Sequence, residues 1–340
     1  IHESYMKMAT GYIELAEQAH GPLQTPLSYD FIWGDALAEL EQVRPDVKII
    51  NLETSITTSD NYWPDKGIQY RMNPANIPVL TVAKIDACVL ANNHVLDWGY
   101  AGLAQTLNTL TAANIKVTGA GQSLAEATAP ALLESARKGR VVLFSYGLPS
   151  SGIPSAWGAT RAQAGVNLLP HLSGYAVQRI KKAVAATEEK NDIIVVSIHW
   201  GSNWGYDIPA RQTDFSHKLI DQAGVDLVHG HSSHHPKGIE VYRGKLILYG
   251  AGDFFNDYEG IRGYEQFRGD LALMYFASLD PATGRLVRLK MTPLQIRNFR
   301  LSRASRADAL WLQAILNREG ARFGTRVELD RDNSLTLKWH

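Results

Sequence analysis

The chain is poor in cysteine: Cys88 is the only one in 340 residues. A single thiol excludes an internal disulfide framework, and with no cysteine near the histidines described below it argues against a structural thiolate zinc site. Set inside IDACVLA, Cys88 reads as a buried, inert thiol in a strand, and a reducing cytoplasm suits it. Net charge is missing too. The 34 basic residues equal the 34 acidic ones, which leaves no electrostatic case for nucleic acid or an anionic membrane. No apolar run approaches the ~18–20 residues that span a bilayer; the longest, such as DIIVVSIHW, are strand-length. The opening IHESYMKMATGYIELAEQ lacks a basic stretch followed by an apolar one, so it does not read as a signal peptide. It also lacks an initiator Met, and missing upstream chain is expected. The location expected is cytoplasmic, at most peripheral to a membrane. Oligomeric state is not legible.

What is present is ordinary globular material, 45% hydrophobic and 20% charged, enough for a substantial core. Short β-branched runs at 47–53, 85–91, 115–120, 140–147, 192–199 and 225–230 read as buried strands. Between them lie helical spacings: Ile32, Leu37, Leu40 and Val43; Leu103, Leu107 and Leu110; Val177, Ile180 and Val184; Phe215, Leu219 and Ala223. A helix is also expected at 3–18. The alternation predicts α/β architecture. After residue 238 the pattern turns antiparallel, with hairpins around Arg243-Gly244, from Asp280-Pro281 through Gly284, and near Asp332-Asn333. A late helix stops at Gly320. With no repeat or linker, 1–340 reads as one domain.

The histidines are unevenly placed. Six of eleven lie between His199 and His235, and four of those fall within VDLVHGHSSHHPKG. In open α/β sheets a ligand sits beyond the carboxyl ends of the strands. The residues following each predicted strand are therefore candidates: Asn51, Glu53 and Thr54; Asn92, Asn93, His94 and Asp97; His199; then His229, His231, His234 and His235. Glu, Asn and His together suit one or two divalent ions, Mn, Zn, Fe, Mg or Ca. A dense histidine group would supply both ligands and their supports.

Other readings stay open for each residue. Asn92-Asn93 could form a left-handed turn, and Asp97 could cap the helix after it. Trp204, at a strand end, either walls a pocket or packs. Arg71 is either an anchor for a carboxylate or phosphate or a solvated arginine. The glycines of GAGDFF either bring Asp253 to the site or serve a bulge.

In order along the chain, INLETSIT (50–57), LANNHVLDWG (90–99), VSIHWGSNWGY (196–206) and VHGHSSHHPKGIEVYRGKLILYGAGDFF (228–255) resemble the bacterial capsule-synthesis (CapA/PgsA, poly-γ-glutamate biosynthesis) family. That family is a branch of the calcineurin-like metallophosphatase superfamily. The resemblance implies a four-layer α-β-β-α sandwich with mixed sheets. Residues 30–260 would carry the metal core, and 261–340 would complete the second sheet. It implies Glu53, Asn93, His199, His231 and His234 as metal ligands, with His94, Asp97 and His229 as acid–base groups. Arg71, Trp204, His235 and Asp253 are the expected substrate contacts. Two departures stand. The family's opening strand, ending in Gly-Asp, is not seen and is expected upstream. The closing motif has two residues between His231 and His234, so the choice between His234 and His235, and between one metal and two, stays open.

Three functions follow as expectations. The first is a metal-dependent, hydrolase-like enzyme acting on a peptide, polyglutamate or phosphorylated substrate, with His94 as general acid. The second is a metal-assisted Cα epimerase of peptides, using His94 with His229 or His234 as paired bases. The third is a non-catalytic accessory protein of polymer synthesis or export.

Overall fold

The computed structural model describes residues 6, 8–23, 25–134 and 139–340. The first helix, α1, spans Thr10–His20; the positions before it that were expected to be helical lie partly outside the described residues. Three strands and two longer helices follow in the expected alternation. Strands β1 (Ile49–Asn51), β2 (Ala87–Val89) and β3 (Lys116–Thr118) form a parallel sheet in that order, with α2 (Asp35–Val43) and α3 (Gly99–Ala112) around them. Each strand is shorter than its apolar run, and β1 and β2 give way at Asn51 and Leu90 to the loops that carry Glu53 and Asn92 to Asp97.

A second sheet of six strands uses β4 (Ala131–Glu134), β5 (Arg140–Gly147), β6 (Ile193–His199), β7 (Leu227–His231), β8 (Ile239–Tyr242) and β9 (Lys245–Leu248). Its order is β8-β9-β7-β6-β5-β4, parallel at the centre and antiparallel at both edges. All seven residues of β6 are buried, as a central strand covered on both faces requires. Helices α4 (Gly174–Ala185) and α5 (Ala210–Ala223) cover one face. Ser173 caps α4 by accepting from the Ala176 N–H, and Gly224 ends α5 in the left-handed region.

Period-two alternation decides which face meets which. Ile194, Val196 and Ile198 pack under α4 and α5 with Val177, Ile180, Phe215 and Leu219. Ile193 and Val195 point the other way and pack with Leu143 against Ala87 and Val89 of β2. The two sheets therefore face each other, and Ser197 and His199 continue the inward row of β6.

The C-terminal strands β10 (Leu271–Leu279), β11 (Leu286–Arg297), β12 (Arg300–Arg303), β13 (Thr325–Leu329) and β14 (Leu335–Trp339) pair among themselves. They form a five-stranded antiparallel sheet, whereas the sequence led us to expect them to extend the second sheet. Leu271, Leu273 and Met291 pack on Ile239 and Leu248, with Leu312 and Leu316 of α6 (Arg306–Gly320). No helix among the described residues is long and apolar enough to cross a membrane.

Candidate metal and acid–base site

Side chains from the carboxyl ends of β1, β2, β6 and β7 meet between the facing sheets, and their meeting point is the cleft. On the first side the scaffold is Asn92, fully buried. Its Nδ2 donates to Asn51 Oδ1 (3.0 Å) and to the Leu52 carbonyl (2.8 Å), while its Oδ1 accepts from the His94 N–H (3.1 Å). Neither Asn92 nor Asn93 adopts positive φ, so the left-handed turn is not what this pair is for. Asn51 Nδ2 also donates to Glu53 Oε2 at 2.8 Å, which aims that carboxylate.

On the second side, parallel register sets Ser197 beside His229 and His199 beside His231. Gly230 between them has a steric reason. A Cβ there would stand 2.6 Å from the Leu248 and Tyr249 carbonyls, so only glycine fits. His199, wholly buried, faces both sides. Its Nε2 lies 3.1 Å from Asn93 Oδ1 and 3.6 Å from Glu53 Oε1, and its Nδ1 lies 2.7 Å from Nδ1 of His231. The Ser197 hydroxyl then sits 2.9 Å from His231 Nε2 and 3.0 Å from His229 Nδ1.

Burial lowers the His199 pKa to about 4, against the pull of Glu53, so its ring is neutral at pH 7. Burial likewise holds His229 near 4 and His231 well below its ordinary value. The structure thus brings Glu53, Asn93 and His199 together. His231 stands behind His199 with both nitrogens engaged, and His229 one hydroxyl further back.

The acid–base candidates separate in the same way. His94 Nδ1 is 2.6 Å from Asp97 Oδ2, and the Tyr70 N–H donates to that same oxygen at 2.7 Å. Asp97 does not cap α3, whose N-cap, Trp98, offers no side-chain bond. Its other oxygen holds Lys66, a residue that no motif singled out. Burial lowers the Lys66 pKa while Asp97 and Glu53 raise it.

Of the expected substrate contacts, Asp253 binds His234 Nδ1 with both oxygens at 3.0 Å. Burial opposes a charge on His234, yet Asp253 prevails and raises its pKa to about 9. The Trp204 ring lies 5.2 Å from His234 and stacks on Tyr264 at 4.2 Å. His235 packs against Tyr206 and Phe267 with Nδ1 on the Pro236 carbonyl, and its buried Nε2 has no hydrogen-bond partner among the described residues. That makes it a core residue beside the cleft, and burial lowers its pKa to about 4. Arg71 is engaged elsewhere, by Asp60, the Ser59 carbonyl and the Trp98 ring. The cation beside His94 is Lys66.

The model for the bacterial capsule synthesis protein PGA_cap matches residues 6–258. The chain belongs to that family. A probable polyglutamine synthesis accessory protein of Mycobacterium tuberculosis is 46% identical over 99% of this chain and 89% of its own length. The PGA biosynthesis protein CapA of Bacillus subtilis is 31% identical over 72% of this chain and 60% of its own length. The capsule biosynthesis protein CapA of Bacillus anthracis is 26% identical over 73% of this chain and 57% of its own length. The PGA_cap match spans every element that feeds the cleft up to Tyr258.

Among the described residues no group of three or more His, Cys, Asp or Glu side chains closes into a cage. The open set that is present fits a divalent ion chemically: a carboxylate, an amide oxygen and a neutral imidazole converge at His199 Nε2.

Proposed function

We propose that the chain is a cytoplasmic, metal-dependent enzyme of the capsule-synthesis type with the layered α-β-β-α arrangement of the calcineurin-like metallophosphatases. Its substrate would be a peptide, a polyglutamate or a phosphorylated compound. The observation that carries this reading is the approach of Asn93 and Glu53, at 3.1 and 3.6 Å, to His199 Nε2 from the opposing sheet. Glu53, Asn93 and His199 would hold one ion, with His231 bracing His199. His234, oriented by Asp253, would be the next ligand or a contact for the substrate. A bound ion supplies Lewis acidity, which lowers the pKa of water or polarises a carbonyl or phosphoryl oxygen. Asp97 orients His94 through Nδ1, and His94 then exchanges a proton with the substrate through Nε2.

A second reading is favoured by one feature. His94 and His234 are a matched pair, each held at Nδ1 by a carboxylate, Asp97 or Asp253. Two oriented imidazoles suit removal and return of a Cα proton from opposite sides, the chemistry of a peptide epimerase. The name of the M. tuberculosis relative supports a third, accessory role.

Elemental analysis of the protein and of His199→Ala tests the first step, with one or two equivalents expected in the former and a loss in the latter. Peptides and phosphoesters incubated in D₂O then separate the chemistries. Cleavage supports hydrolysis, and deuterium retained in an intact peptide supports epimerisation. Metal-loaded protein that does neither leaves the accessory role.

A further inference from the structure

The connection 249–270 between β9 and β10 is far longer than the usual link between strands, and loops of that length commonly serve function. Both of its stems are pinned. The Ala251 N–H donates to the Gly230 carbonyl at 2.9 Å, and Asn256 Nδ2 donates to Asp253 (2.8 Å) and to the Gly269 carbonyl (3.3 Å). The hydroxyls of Tyr258 and Tyr70 lie 3.2 Å apart. Buried Glu259 accepts from the N–H groups of Asn298 and Phe299 at 2.6 Å each, and His20 of α1 lies 2.9 Å from the same carboxylate. On the far stem Phe267 stacks on His235, and Arg268 binds Asp270 and Asp308.

Residues 260–266, between these stems, are held differently. Arg262 through Gln266 are exposed. Among the described residues, the backbone–backbone bonds of this segment reach no further than Tyr258 and Arg268. Gly260 and Gly263 sit at φ +79° and +117°, where glycine is favoured, and small residues so placed suit a hinge. From the tip, the Tyr264 ring lies 4.2 Å from that of Trp204 and within 5° of parallel. Tyr264 is still 48% exposed, so the stack is held from one side. Trp204 in turn lies 5.2 Å from His234.

We propose that 260–266 is a lid that turns on Gly260 and Gly263, with the Tyr264–Trp204 stack as its catch. Closed, it covers the Trp204 side of the substrate site. Open, it bares that indole face beside His234 to an incoming substrate. The inference rests on reading His234 as part of that site. One aromatic stack is a tie weak enough to release and re-form, and its loss multiplies the open population by roughly three- to tenfold.

The test is limited trypsin digestion of the folded full chain, with mass spectrometry reading the cut after Arg262. When a segment opens and closes faster than it is cut, cleavage follows the open population. Tyr264→Ala should therefore be cut roughly three- to tenfold faster than wild type. Tyr264→Phe keeps the ring and should be cut at the wild-type rate. Melting temperatures check that both variants fold. Equal rates in wild type and Tyr264→Ala overturn the lid, as does a Tyr264→Phe cut as fast as Tyr264→Ala. EDTA should also strip Mn²⁺ faster from loaded Tyr264→Ala than from loaded wild type, and equal stripping overturns the lid's place over the site. A wild type that takes up no Mn²⁺ defeats the functional reading instead, and the trypsin rates still decide the lid.

Discussion

Ser197 lies directly across from His229 in the parallel register, and its hydroxyl stands 3.0 Å from that imidazole's Nδ1. The same hydroxyl reaches His231 at 2.9 Å, so one small side chain satisfies two buried rings. Ser197→Ala leaves both nitrogens unpaired. A loss of about 1–3 kcal/mol is expected in urea denaturation. No loss would mean that the rings find other partners.

Stability should fall on both sides of neutral pH. His199, His229 and His235 have folded pKa values of about 4 against 6.5 unfolded. Their contribution is complete above 6.5 and is lost as pH falls towards 4, because the unfolded chain takes up protons that the folded one refuses. His234, raised from 6.5 to about 9, behaves oppositely: its contribution is complete below 6.5 and is lost as pH rises through 9. Melting temperatures at about pH 5, 7 and 9.5 should peak in the middle. Asp253→Asn should flatten the alkaline arm and leave the acid arm.

Asp97 is fully buried and is bonded by Lys66, His94 and the Tyr70 N–H. Asp97→Ala strands a half-buried ammonium, at a cost of about 1–3 kcal/mol. Lys66→Met should cost less, since two donors still hold the carboxylate. Equal losses in chemical denaturation would show that the ion pair alone matters.

Arg71→Ala separates the surface from the cleft. Its guanidinium serves Asp60 and Trp98, so the change should cost under about 1 kcal/mol. Metal content should not move. A loss of metal would bring Arg71 back to the site.

Much of this was legible because strand ends follow simple rules. The run RVVLFSYG became β5 residue for residue, and the hairpin around Arg243-Gly244 joins β8 to β9 as expected. The candidate list taken from strand ends included Glu53, Asn93, His94, Asp97 and His199, all of which border the cleft. Ser197 was within reach too, since it sits two residues before His199 on the same inward row. Lys66, Tyr70 and Tyr258 had no local signal. They lie in irregular segments 31, 27 and 188 residues from the partners they meet, and periodicity says nothing about such contacts. β4 was missed because ALLE is too short to show a period.

The row His229, Ser197, His231, His199 is a single file with one proton per junction. Each ring that donates at one nitrogen accepts at the other, so the file has only two polarities, and no link reverses alone. If His199 Nε2 donates to Asn93, every hydrogen bond back to His229 points towards the cleft. If that nitrogen instead offers its lone pair, all of them point away. The proton on His199 Nε2 is thereby tied to the one at His229 Nδ1, four groups deep behind the cleft.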